Sequence, residues 1–200
     1  SLMDSYVSIR SKLSFTQGNN NKFFSTKIEK ILQNFTMPVE KTDSLKFHEF
    51  IDLSGMTDRA NQAMTRMLFS DDNLNSDMNI GFKGNPNIGS VVLNQISSST
   101  AFQNFAQSFQ TGDKIFIISS IFGGTGASGF PLLLKTMRTD KSLPNSAAIN
   151  TAQIGAITVL PYFKLEKDDN SSIDSTTFIS KAKSALAYYE DNISKNNQIN

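Results

Sequence analysis

The 200-residue chain has no cysteine and a single histidine, His48. Without thiols there is no disulfide, no zinc–thiolate site and no cysteine nucleophile. One imidazole leaves most metal-site and triad chemistry without its parts, and His48 itself reads as a partly buried or surface residue. An excess of charge of one sign is also missing. Nineteen basic and 18 acidic side chains give a net charge of +1, so nothing draws the chain as a whole to nucleic acid or to an anionic membrane. No apolar run reaches the roughly 18 residues of a spanning helix, and the N-terminus carries no secretory pattern. A cytoplasmic protein is the expectation. Apolar residues make up 38% of the chain, and Phe provides 16 aromatics against 4 Tyr. The length suits one domain with a real core. Ser1-Leu2 ahead of Met3 reads as an expression remnant outside the fold.

What is present begins with helical periodicity. Phe24, Ile28, Ile31, Leu32 and Phe35 predict an amphipathic helix over 23–35, stopped by Pro38. Residues 45–53 read as strand or loop. A Thr57/Asp58 start and Ala60, Ala63, Met64, Met67 and Leu68 predict a helix over 57–69. Helices are also expected over 90–96 and 101–109, and the Phe102/Phe105/Phe109 stripe belongs to the core, as do Phe23, Phe24 and Phe35. Lys114 to Ile121 is a near-continuous apolar run, as in a parallel strand covered on both faces. A helix over 130–138 tolerates Pro131 in its first turn. A second buried strand follows over 152–160, ended by Pro161. The last helix, 177–193, turns Phe178, Ala182, Ala185, Leu186 and Tyr189 inward. Strand, helix and strand around Gly123 have the spacing of a βαβ unit, which gives an α/β fold.

Between the first strand and its helix lies Gly123-Gly124-Thr125-Gly126-Ala127-Ser128-Gly129. Glycines permit close backbone approach, and a helix beginning there aims free amides and its positive end at the loop. A phosphate is the usual guest. A P-loop reading fails because no Lys follows the glycines. Gly124, Gly126 and Gly129 match G-x-G-x-x-G, but no acidic residue stands at Leu160-Pro161 to bind a ribose; a dinucleotide site remains an alternative. A nucleophile elbow fails because Phe130, not Gly, follows Ser128 by two, and His48 is the only available base.

The seven residues resemble the glycine signature GGGTG(S/T)G of the tubulin/FtsZ superfamily, with Phe122 in place of its first glycine. Two further segments agree in order. Gly81-Phe82-Lys83-Gly84-Asn85-Pro86-Asn87-Ile88-Gly89 resembles the FtsZ loop G-x-G-x-N-P-x-I-G, with Lys83 at a common glycine position. Ile154 to Glu166, with Val159, Pro161 and Leu165, resembles the strand and loop T-V-x-V-V-T-K-P-F-x-F-E-G with one residue inserted. The phrase around Gly123 looks closest to a group of bacterial tubulin-like proteins, and the resemblance covers about residues 75–195.

The resemblance implies a three-layer fold, a parallel sheet with helices on both faces. It divides the chain into an N-terminal helical or irregular segment, 1–74, and a partial nucleotide-binding domain, 75–200, folded as one unit from residue 3. It implies GTP as ligand and admits Mg²⁺ beside it. Gly123, Gly124, Thr125, Gly126, Ala127, Ser128 and Gly129 would cradle phosphate by their amides, with the Thr125 and Ser128 hydroxyls as extra donors. Gly84, Asn85 and Pro86 would lie near the γ-phosphate, and Glu166 would accept from the ribose. The family's first G-x-G-G-x-G loop and its N-x-D-x-x-D catalytic loop have no counterpart in this sequence. The expectation is therefore a piece of a larger GTPase-like, filament-forming protein that carries half a nucleotide site, no catalytic residue and no turnover of its own. A non-catalytic tubulin-like assembly module is the alternative, favoured by Phe122 and Lys83. Partners are the nucleotide and further copies, without nucleic acid or a membrane span.

Overall fold

The structure is a computed structural model that describes residues 2–13, 22–29, 39, 42, 44–78, 81–162 and 177–195. The chain divides into two compact units, Ser1–Thr36 and Met37–Asn200.

In the first unit, helix α1 (Leu2–Ser11) buries no residue, and Leu2, set aside as a remnant, is its first residue. The helix expected over 23–35 does not form in its described part: residues 22–29 are turn and coil, and residues 30–38 lie outside the described residues. Their carbonyls are otherwise engaged. Tyr6 Oη lies 3.1 and 3.0 Å from the carbonyls of Phe23 and Thr26, and Arg10 Nε donates to the Phe24 carbonyl at 3.0 Å. Phe23 is exposed, not core.

The second unit opens with α2 (Phe47–Phe50), a short helix where strand or loop was expected, and Phe47 is fully buried beneath it. His48 on α2 is half-buried. Helix α3 (Arg59–Leu68) starts as predicted, with Asp58 Oδ1 accepting from the Ala60 amide at 2.8 Å. Its apolar stripe faces outward, however, with Met67 87% exposed. Helix α4 (Asp71–Leu74) is capped by Ser70. Helix α5 (Pro86–Leu93) has Pro86 in its first turn, where the missing amide would be unbonded anyway. A 3-10 turn over Asn94–Ser98 links it to α6 (Thr100–Ser108).

Strand β1 (Lys114–Ser120), helix α7 (Gly124–Thr139), helix α8 (Ser146–Thr151) and strand β2 (Gln153–Val159) form the centre. The strands pair in parallel from Lys114↔Gln153 to Ser120↔Val159. Helix α9 (Phe178–Tyr189) packs on α7 and continues as a π-helical turn over Glu190–Lys195. The unit is mixed α/β with one two-stranded parallel sheet among the described residues.

Ile115, Ile117 and Ile154 pack into a core built around Phe47, Ile88, Val92, Phe102 and Ile149, and Leu74 and Leu53 join it. Residues of 37–74 thus share their core with the later part of the chain. The opposite sheet face is open: Phe116 is 60%, Ile118 71% and Ile157 52% exposed. This corrects the expectation of strands covered on both faces. The apolar run has the composition for two cover layers, but the described helices supply one. Leu186, expected inward on α9, is also exposed.

Helix α7 begins six residues before its expected start, which places Pro131 inside it. An interior proline cannot donate to the carbonyl four residues back, here that of Ala127. The Tyr189 hydroxyl replaces the missing donor at 2.9 Å, and its ring meets Phe130 edge-on at 5.2 Å between centroids.

Candidate functional site

The glycine turn leaves the C-terminal end of β1 and becomes the first turn of α7, where ligands of parallel sheets bind. Gly123 is the N-cap and offers no side-chain acceptor. The first turn closes with the Ala127 amide on the Gly123 carbonyl at 3.3 Å. The amides of Gly124, Thr125 and Gly126 therefore have no upstream helical carbonyl. Neighbouring α5 differs, because Asn85 Oδ1 accepts from its own first-turn amides, Asn87 at 3.0 Å and Ile88 at 3.4 Å. No acidic residue occurs from Lys114 to Thr139, so the positive end of α7 is not neutralised by its own segment.

Packing explains some of the motif residues without any ligand. A Cβ on Gly126 would lie 2.1 Å from the Ser120 carbonyl oxygen, so glycine lets α7 start against the end of β1. A Cβ on Gly89 would lie 2.4 Å from Ser128 Oγ and 2.7 Å from the Gly124 carbonyl oxygen, so α5 rests directly on the first turn of α7. Ser128 is buried and donates to the Gly124 carbonyl at 2.6 Å, which spends its hydroxyl inside the helix instead of at the turn. Gly124, Ala127 and Gly129 are also buried, so within the first turn Thr125 and Gly126 are the more accessible positions. Thr125 is exposed, leaving its hydroxyl as the side-chain donor beside the free amides.

The α5–α7 contact brings the two predicted loops together, since Gly89 lies about one helical turn beyond Asn85. Gly84 has φ +69°, the left-handed region that glycine adopts without strain. Glu166 lies outside the described residues, and nothing of Lys83's side chain is described. Phe122 packs its ring on Phe178 at 5.2 Å, a contact that its glycine counterpart could not make.

Lys181 has no role in the sequence reading. From α9 its Nζ sits 3.3 Å from where a Gly84 Cβ would lie. It lines a cavity of about 370 Å³ with Asp72, Asn73, Phe82, Gly84 and Asn85. The available signal was helical spacing: Lys181, Ser184, Ala185 and Tyr188 recur at i, i+3, i+4 and i+7. Tyr189 carries the site's one clear perturbation. Burial first, and Tyr188 second, push its hydroxyl up to about 12, so it stays a donor to Ala127. Among the described residues no group of three His, Cys, Asp or Glu side chains could hold a metal, and no helix is long and apolar enough to cross a membrane.

Comparison of the chain with protein-family models, curated proteins and solved structures finds no match in any of the three. The functional reading therefore rests on the residues and their geometry.

Proposed function

We propose that the chain carries the phosphate-binding side of a tubulin/FtsZ-like GTP site. The uncapped start of α7 at the end of a parallel strand carries this reading. It offers the Gly124, Thr125 and Gly126 amides and the Thr125 hydroxyl, in a segment free of acidic side chains. Phosphate oxygens suit such a cradle because the charge meets fixed donors that need no reorganisation. Gly84 and Asn85, held alongside by α5, would face the terminal phosphate, and Lys181 supplies a cation there. Asn85 would keep its capping role, so its loop contributes backbone groups and position. Glu166 would hold the ribose. GTP supplies the phosphates and base; Mg²⁺ would need ligands from outside this set. Hydrolysis is not assigned to this chain, whose sequence has no N-x-D-x-x-D loop.

Self-association is a second reading, favoured by one observation. Phe116, Ile118 and Ile157 leave an apolar sheet face uncovered, and parallel sheets are ordinarily covered on both faces. Further copies would cover it in a tubulin-like assembly, with or without nucleotide.

Calorimetric titration with GTP and with NAD, alongside sedimentation at several protein concentrations, separates the readings. The expected result is weak GTP binding without NAD binding. NAD binding would favour the dinucleotide alternative. Concentration-dependent association with no nucleotide response would leave the assembly module.

A further inference from the structure

A larger cavity, about 560 Å³, lies between α5, α7 and α9, beside Ala127 and Ser128 of the glycine-rich segment. It follows α7 from Ala127 to Lys135, about 12 Å along the helix at 1.5 Å per residue. Its floor is apolar, made by Pro86, Ala127, Pro131, Leu132 and Ala185. Pro131 matters twice here, because it has no amide to present and its partner carbonyl is already taken by Tyr189.

The polar lining is one-sided in charge. Lys135 enters from α7 and Lys181 from α9, and among the described residues no carboxylate lines the cavity. The serine hydroxyls are spent within their helices: Ser90 donates to the Pro86 carbonyl at 2.9 Å, Ser180 to Thr177 at 2.8 Å and Ser184 to Ser180 at 3.1 Å. Four lining side chains retain free donors, Lys135, Lys181, Asn87 and Tyr188, and none is held by another described residue. Ligand sites of this size combine an apolar wall with a few convergent polar groups.

We propose that this groove binds a small organic phosphate monoester. Two ammonium groups, with no acid among the described lining residues, match the charge of about −1.5 to −2 on a phosphate monoester at pH 7. The apolar floor fits a compact aromatic or aliphatic body. The Gly123–Gly126 amides do not line this groove, but it shares Lys181 and Pro86 with the proposed nucleotide site, so Lys135→Gln is the variant specific to the groove.

The test is an amide-resolved NMR titration of the whole chain with phenyl phosphate, inorganic phosphate, benzoate and benzyl alcohol. Phenyl phosphate is expected to give saturable shifts at Ser90, Leu132, Lys135, Ser184 and Tyr188. The other three probes are expected to bind about tenfold more weakly or worse. Lys135→Gln and Lys181→Gln should each weaken phenyl phosphate by about tenfold. Ser184→Trp should block the groove while circular dichroism shows the fold retained. Shifts confined to Gly124–Gly126, equal binding of benzyl alcohol, or unchanged binding in the Lys135→Gln/Lys181→Gln double variant would each overturn the proposal.

Discussion

Tyr189→Phe isolates the bond that lets α7 carry an interior proline. The substitution keeps the ring against Phe130 and removes the 2.9 Å donor to the Ala127 carbonyl. Ala127 is buried at 5% exposure and Tyr189 at 9%, so solvent does not readily replace the lost hydroxyl. A buried acceptor left without a partner costs about 1–3 kcal/mol, a large share of a total stability of about 5–15 kcal/mol. Pro131→Ala supplies the control. The new amide at position 131 would donate to the same Ala127 carbonyl, which has two lone pairs and can accept both donors. Tyr189→Phe should then cost less in the Pro131→Ala background, with a coupling of about 1–2 kcal/mol. The cycle cancels the separate effects of proline on the kink and on the unfolded chain. Urea unfolding followed by far-ultraviolet circular dichroism measures all four proteins, with unchanged slopes required for the comparison. Equal costs in both backgrounds, within about 0.5 kcal/mol, would refute the claim that Tyr189 replaces the proline's missing amide.

Three further outcomes follow from the same packing. The Tyr189 hydroxyl titrates near 12 when folded against an ordinary 10.0. The folded state thus keeps a proton that the unfolded chain has lost, and this group's stabilisation, complete below pH 10, declines as pH rises through 12; melting curves of Tyr189→Phe should lack that component. Gly126→Ala and Gly89→Ala should each destabilise by about 1–3 kcal/mol. Gly129→Ala, whose Cβ would meet Leu93 Cδ1 at an ordinary 3.5 Å, should be neutral or stabilise by up to about 1 kcal/mol in the same unfolding assay. Ile118→Lys should abolish any self-association seen by sedimentation velocity and leave the unfolding midpoint nearly unchanged, since the side chain is 71% exposed.

The local signals that proved legible were those set within a few residues. Asp58 caps α3 and the apolar run from Lys114 forms a strand, each from neighbouring chemistry alone, whereas α5 starts at Pro86, four residues before the expected start at Ser90. Burial was less legible because it depends on what else covers an element. The runs at Lys114 and Gln153 read as doubly covered, yet Phe116, Ile118 and Ile157 leave one sheet face open, and the apolar spacing that marked α3 did not show that Met64, Met67 and Leu68 are exposed. The helix expected from Phe23 failed where Tyr6 and Arg10 took its carbonyls, a competition that periodicity cannot register. Within the site, the order strand, glycines, helix was legible, but the helix takes in Gly124–Gly129, six residues before its expected start. The sequence did not reveal that Gly89 and Gly126 serve close packing, that Ser128 bonds its own helix, or that Tyr189 completes a bond 62 residues away. Lys181 reaches the Gly84 turn only through the folding of α9 onto α7.

The central claim is that the Gly124, Thr125 and Gly126 amides receive a nucleotide's phosphates. An amide-resolved titration of this chain with GTP, with guanosine as the phosphate-free control, tests it most directly. The account predicts a dissociation constant on the order of 1 mM, as half a site would give, with the largest shifts at those three amides and none with guanosine. Tight binding would contradict the half-site claim, and shifts elsewhere, or none at saturating GTP, would contradict the phosphate cradle itself.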